Sequence, residues 1–301
     1  MILIFFQFLL AAACSYFFLL IILPQLSSRL IDIPNQRSSH SKPIPRGGGI
    51  AFVIIGTIFN YYFNTGAFRL IPILCLPIAI IGIIDDIKDL SAILRYSTHV
   101  IVAYLLIIFS NIDISYWQLP IYILVITAII NLFNFMDGLD GLLAGCSIPL
   151  FASTSAWSLS GAIFGFTFWN WSPAKIFMGD VGSTFLGAVF AGFALQQSTN
   201  REALFLLFLA FPLFADSVSC IVRRLLLRQN IFKAHRNHLY QRLNQSGWSH
   251  QQVSSLYISG IVILAFVRRF DNLSLFLLFM VLEFLVGIYL ELRVASKFQR
   301  T

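Results

Sequence analysis

The sequence predicts an all-α polytopic membrane protein with about eleven transmembrane helices, and three observations carry that expectation. Hydrophobic residues make up 58% of the 301 positions and charged residues only 11%, against roughly 25% charged in an ordinary soluble domain. Phe alone occurs 31 times, more apolar surface than a soluble fold of this length can hide. The Lys and Arg residues also collect in a few segments between apolar runs, the distribution that sets membrane orientation.

A helix needs about 20 residues to cross roughly 30 Å of hydrocarbon. Apolar runs place spans at 2–26, 48–63, 70–84, 96–110, 119–135, 142–158, 160–170, 183–197, 203–222, 253–267 and 272–290. The short ones imply tilt, local thinning or burial within a bundle. The first run is too long for a signal-peptide core and has no basic start, so it reads as a span. Segments 27–47, 85–95, 136–141, 171–182, 223–252 and 291–301 hold sixteen of the twenty Lys and Arg, leaving only Arg69, Arg201, Arg268 and Arg269 on the other side. That asymmetry puts the first set in the cytoplasm, the N-terminus outside and the C-terminus inside. It also accounts for much of the net charge of +7 without nucleic acid as a partner. Cys14, Cys75, Cys146 and Cys220 lie in apolar runs without metal-ligand spacing and read as small core residues.

Eight of the thirteen acids fall on the cytoplasmic side, six of them in three short segments. The first is Gly82-Ile-Ile-Asp85-Asp86-Ile-Lys88-Asp89. On a helix Asp85 faces Lys88 and Asp89, and Asp86 points elsewhere. This reads either as a solvated loop with an ion pair or as neighbouring acids around a cation. The second is Asn131-Leu-Phe-Asn134-Phe-Met-Asp137-Gly-Leu-Asp140-Gly141. Oxygen-bearing side chains at every third position share a helix face and suit Mg²⁺, and the glycines would let a ligand approach the backbone. The third is Phe177-Met-Gly179-Asp180-Val-Gly182-Ser183, with Ser183 expected to cap the next helix, whose N-terminus would favour a phosphate.

Two basic segments accompany the acids on the same side. One runs from Arg37 through His40, Lys42 and Arg46 to a triple glycine ending at Gly49. The other is Lys233-Ala-His235-Arg236-Asn-His238-Leu-Tyr240-Gln-Arg242. Each reads either as orienting charge or as phosphate-binding groups, the histidines also serving as acid or base. Segments 27–47, 85–95, 131–142, 171–183 and 223–252 would thus build one site in a single domain covering 1–301. Acids able to hold Mg²⁺ beside Arg, Lys and His describe polyphosphate chemistry next to a bilayer. A secondary transporter would instead gather its polar groups near the midplane in paired broken helices, and a scaffold would leave the acids unexplained. Asp216 and Glu283 remain within spans, where ionisable groups are costly. Asp216 is as consistent with packing as with function.

In the order and spacing of Asp85-Asp86-x-Lys88, Asn131-x₂-Asn134-x₂-Asp137-Gly-Leu-Asp140-Gly and Phe177-Met-Gly-Asp180-x-Gly-Ser183, and in its histidine-bearing last loop, the chain resembles the polyprenyl-phosphate N-acetylhexosamine-1-phosphate transferases, glycosyltransferase family 4. The likeness covers about residues 30–290. It implies a UDP-N-acetylhexosamine donor, undecaprenyl phosphate as acceptor and UMP as leaving product, at the cytoplasmic face of a bacterial inner membrane among its lipids, with a homodimer allowed. It implies Mg²⁺, with Mn²⁺ as a substitute, held by Asp180, with Asp137 and Asn134 close to metal or nucleotide. Asp85 and Asp86 would engage the acceptor phosphate or the metal, and Lys42 would meet phosphate. Asp140, His235, Arg236 and His238 would bind the donor. The last loop lacks the three successive histidines of the branch that transfers phospho-MurNAc-pentapeptide. It is more similar to the O-antigen and capsule-initiating branch, which uses UDP-GlcNAc or a UDP-6-deoxy-HexNAc such as UDP-FucNAc, so the likeness points away from peptidoglycan.

Overall fold

The computed structural model describes residues 2–34, 39–40, 42–231, 233 and 235–299. Arg37 and Arg300, counted above among the orienting cations, lie outside them. Helix α1 (Ile2–Arg29) leads into a small antiparallel hairpin, β1 (Ile31–Asp32) and β2 (Ile44–Pro45), with Ile31 opposite Pro45. After α2 (Ile50–Phe63) come α3 (Ile71–Leu74) and α4 (Leu76–Lys88). Pro72 and Pro77 sit in their first turns, where a missing N–H leaves no bond unmade. Then follow α5 (Ala92–Ile108), α6 (Leu119–Phe135), α7 (Leu142–Ser153), α8 (Trp157–Asn170), α9 (Asp180–Leu195), α10 (Asn200–Leu209), α11 (Phe211–Leu226), α12 (Leu239–Gln245), α13 (His250–Arg268) and α14 (Leu273–Arg293).

The predicted apolar ranges fall on these helices or on broken ones, except that 142–158 runs past the end of α7 into the first residues of α8. The range 203–222 covers α10 and α11, which meet at 74°. Five helices are long and apolar enough to cross a membrane, six if that bent pair is one span. The chain is an all-α membrane protein.

Helix α9 is the axis of the bundle. Every residue after Asp180 is buried, so the helix is apolar all round. Between helices in lipid there is little hydrophobic drive, and close van der Waals contact takes its place. Gly182, Gly187, Ala188, Ala191 and Gly192 supply the small surfaces, and α2, α4 and α6 pack against them. By contrast α14 buries only Phe276 and Leu290 and forms an outer wall. The start of α9 meets the ends of α4 and α6 and the start of α2 at one end of the bundle, and there the polar motifs gather.

Candidate active site

The site begins with how α9 starts. Gly179 has φ +72°, a conformation that costs glycine nothing, and the helix opens at Asp180. Its first N–H groups have no intrahelical partner. Asp86 supplies one from another helix: Oδ1 accepts the Asp180 N–H at 3.2 Å and Oδ2 the Val181 N–H at 3.4 Å. The expectation that Ser183 caps the helix is therefore corrected. Ser183 lies one turn inside and donates to Asn134 Oδ1 at 2.7 Å and to the Gly179 carbonyl at 3.2 Å. The borrowed cap lets the helix begin earlier than a local one would. Asn134 faces α9, whereas Asn131 turns back to the Thr127 carbonyl at 2.7 Å.

Asp85 does not pair with Lys88. Its Oδ1 accepts the Leu90 N–H at 2.6 Å, and its Oδ2 accepts from Arg95 at 2.9 Å. The chain leaves α4 through Asp89 at φ +48°, which turns the following backbone onto Asp85. Arg95 also reaches Asp180 Oδ2 at 3.7 Å, so one guanidinium joins two motifs. Arg46 donates to the Asp86 carbonyl and lies 3.8 Å from its carboxylate. The triple glycine lets backbone approach backbone closely. Gly48 and Gly49 donate to the carbonyls of Phe177 and Met178 at 2.9 Å each, and Phe177 donates to Pro45 at 2.8 Å. This backbone strip fastens the basic segment beside Asp180. Lys42 is exposed, with its carbonyl 2.8 Å from His40 Nδ1.

Beside this cluster a cleft of about 200 Å³ is lined by Asp137, Asp140, His40, Phe177, Gln241 and His250 among others. Asp137 is half-buried in the turn after α6. Burial, then the charges of Asp180, Asp86 and Asp140, push its carboxyl well above the ordinary carboxylate range. The neighbouring Gly138 is small because Tyr240 fills the space in front of it. Gly138 also lines the cleft. Asp140 differs from Asp137. Burial raises its pKa, but His250 at 3.1 Å and the Ala174 N–H at 3.1 Å outweigh that and hold it below the usual value. This pairing stabilises the fold fully above the ordinary Asp pKa of about 3.9. It is lost as pH falls through the depressed folded value. Replacing His250 with glutamine should therefore lower thermal stability at neutral pH and flatten its decline below about pH 4, as read by thermal melts of detergent-solubilised protein.

The carboxylates fit a divalent cation by charge. Asp85, Asp86, Asp137 and Asp180 outnumber Arg46 and Arg95, and a divalent cation among them would relieve the mutual repulsion that pushes Asp137 up. Among the described residues no three of these oxygens converge into a closed cage. Mg²⁺ commonly takes one or two carboxylates and leaves its other positions to water and substrate phosphate. An open pair such as Asp137 and Asp180 suits that habit.

The loop histidines sit elsewhere. His235 and His238 stack at 5.1 Å between ring centroids, beside Cys220, and do not line the cleft. Burial pushes His235 down to about 4. Burial would lower His238 too, but its contact with Asp216 raises it to about 9. Asp216 is a clamp: it accepts the N–H of Leu239 at 2.7 Å and of Tyr240 at 3.0 Å, and the Tyr257 hydroxyl at 2.7 Å. Arg95 was missed because nothing near it in sequence marks it, and His250 because spacing alone does not separate it from orienting charge.

A family model described as glycosyl transferase family 4 matches residues 68–198. The chain is 30% identical, over 85% of its own length and 82% of the other's, to a Bacillus subtilis protein named "Probable undecaprenyl-phosphate N-acetylglucosaminyl 1-phosphate transferase". It is 31% identical to the undecaprenyl-phosphate alpha-N-acetylglucosaminyl 1-phosphate transferase of Thermotoga maritima, over 71% of this chain and 74% of that one. To the Escherichia coli K12 protein of the same name it is 28% identical, over 83% and 81%. With relatives this similar along most of both chains, and the motifs of the likeness gathered at one end of the bundle, the chain belongs to glycosyl transferase family 4.

Proposed function

We propose that this chain transfers N-acetylglucosamine 1-phosphate, or a closely related N-acetylhexosamine 1-phosphate, from its UDP-sugar to undecaprenyl phosphate and releases UMP. The observation that carries the reading is the group of four carboxylates and two guanidiniums beside the cleft, in a chain whose relatives are named for this transfer. The product would begin a lipid-linked surface glycan. The site would face the cytoplasm of a bacterial inner membrane, with the N-terminus outside, the C-terminus inside and about eleven helical passes. The positive-inside charge distribution supports that orientation.

In this reading Asp137 and Asp180 are the ligands of Mg²⁺, or of Mn²⁺ in its place. When bound, the ion would draw charge from the diphosphate and the departing UMP. The chain's own residues do the positioning. Asp86 and Arg46 fix where α9 begins, and Arg95 keeps Asp85 and Asp180 side by side. His40, Asp140 and His250 shape the cleft for the donor, with Lys42, whose carbonyl meets His40, as a neighbouring cation. An oxygen of the acceptor phosphate attacks the sugar-linked phosphorus while the bond to the UMP oxygen breaks. A phosphate monoester is largely dianionic at neutral pH, so no strong base is required. The polyprenyl tail would lie in the apolar groove of about 650 Å³ between α11, α13 and α14.

The decisive assay mixes purified protein, undecaprenyl phosphate and a panel of UDP-N-acetylhexosamines, and reads the lipid product by mass. UDP-GlcNAc is expected to give the largest yield, and failure of every donor would overturn the reading. A single-turnover experiment without acceptor separates direct attack from a covalent aspartyl route. No UMP is expected, and one equivalent per enzyme would exclude the direct route.

A further inference from the structure

Asp216, Cys220 and Arg224 recur at four-residue spacing on α11 and share one helix face. All three are buried, and that face meets Asn230, Lys233, His235, His238, Leu239 and Tyr240. The outer two make their contacts by hydrogen bonds. Asp216 accepts from the Leu239 and Tyr240 N–H groups. Arg224 donates to the carbonyls of Lys233 at 2.8 Å and Asn230 at 2.5 Å. Between them the Cys220 thiol is free and faces two imidazoles. One ligand atom each from Cys220, His235 and His238 lies within 4.8 Å of the others, the only such group among the described residues.

We propose that Cys220, His235 and His238 bind one divalent ion of the zinc class, clasping the segment 227–249 onto α11. A thiolate with two imidazoles is a borderline-soft donor set that selects zinc over the hard ions favoured by carboxylate oxygens. The site is therefore distinct in chemistry from the Asp137–Asp180 pair and does not rest on the proposed transfer reaction. His238 is 3% exposed, and its Nδ1 makes no hydrogen bond. The nearest acceptor is Asp216 Oδ1 at 3.5 Å. A carboxylate behind one ring nitrogen is the arrangement that aims the other at a metal. The nearest cost is modest: ligation by His235 Nδ1 would replace one long bond, from the Asn237 N–H at 3.3 Å. Ligand atoms on a tetrahedral zinc stand roughly 3.4–3.6 Å apart, so the trio would draw together by up to about 1 Å. The fourth position is left for water. Binding would displace the thiol proton and the proton that Asp216 favours on His238.

Full-length protein purified in detergent is expected to carry about one zinc per chain by plasma mass spectrometry. Exchange for Co²⁺ should produce thiolate-to-cobalt charge-transfer absorption. Cys220→Ser should abolish that absorption and the bound metal, whereas Asp180→Asn should retain both. Chelation should speed proteolysis within 227–249 in the wild-type protein alone. If Cys220→Ser does not fold, His235→Gln removes a ligand from the same set and should lose the metal likewise. Wild-type protein that holds less than about a tenth of an equivalent after zinc loading and desalting would overturn the site. So would a Cys220→Ser protein that keeps the cobalt spectrum.

Discussion

Asp180→Ala is expected to lower turnover by a factor of about a hundred or more, with little loss of folded protein. The two effects separate because the carboxylate and the backbone of Asp180 have different tasks. The backbone N–H is held by Asp86, and the carbonyl accepts from Thr184 at 2.5 Å. Alanine keeps both. The carboxylate reaches Arg95 at 3.7 Å and meets the Asp85 side chain, with Asp86 close by. Removing it sacrifices a favourable charge at a helix start, about 0.3–1 kcal/mol, and relieves repulsion of similar size from Asp85 and Asp86. A hundredfold loss of rate corresponds to about 2.7 kcal/mol, so catalysis should suffer far more than stability. Asp180→Asn should behave the same way, since an amide does not replace an anionic ligand. The measurement is UMP release by purified variants alongside thermal melts. Near-normal turnover in Asp180→Ala would refute the metal assignment.

Gly82→Ala should do the reverse and damage the fold first. A β-carbon there would lie 2.6 Å from the Val181 nitrogen and 2.7 Å from the Asp180 carbonyl. Those are backbone atoms of another helix and have no rotamer to escape into. Alanine gains about 1 kcal/mol over glycine in a helix interior, but overpacking commonly costs 1–3 kcal/mol and occasionally more. The clash should win, because α4 must back away from α9. The Asp86 bonds to α9, already 3.2 and 3.4 Å, would then open. We expect the thermal midpoint to fall by several degrees and activity to drop about tenfold, equivalent to 1.4 kcal/mol. Gly287→Ala on α14 is the control, since a β-carbon there meets nothing within 4 Å. It should be neutral or slightly stabilising. Equal melting of Gly82→Ala and the wild type would show that the two helices approach less closely than described.

The helices were largely legible in the sequence because apolar runs are a local signal. The 74° break between α10 and α11, inside the single predicted range 203–222, was not. The gathering of Asp85, Asp86 and Asp180 at one end followed from charge orientation and was equally legible. What spacing could not reveal was which partner each acid would choose. Asp85 has Lys88 three residues away, yet it binds Leu90 and Arg95, because the left-handed turn at Asp89 redirects the chain. Asp86 looks like a substrate-facing acid, but it serves a helix that starts 94 residues later. Ser183 has the chemistry of a cap and sits one turn too deep to use it. Cys220 reads as core filler by any local rule, and only the fold sets it beside His235 and His238.

The bond between Asp140 and His250 has a consequence for how the protein is made. The two residues are separated by 110 positions, and Ser254 closes onto the Asp140 carbonyl from 114 positions away. Until the ribosome has passed residue 250, Asp140 stands at the membrane without its imidazole partner. A nascent bundle halted before α13 would hold the Asp140 carboxylate by the Ala174 N–H but not by His250.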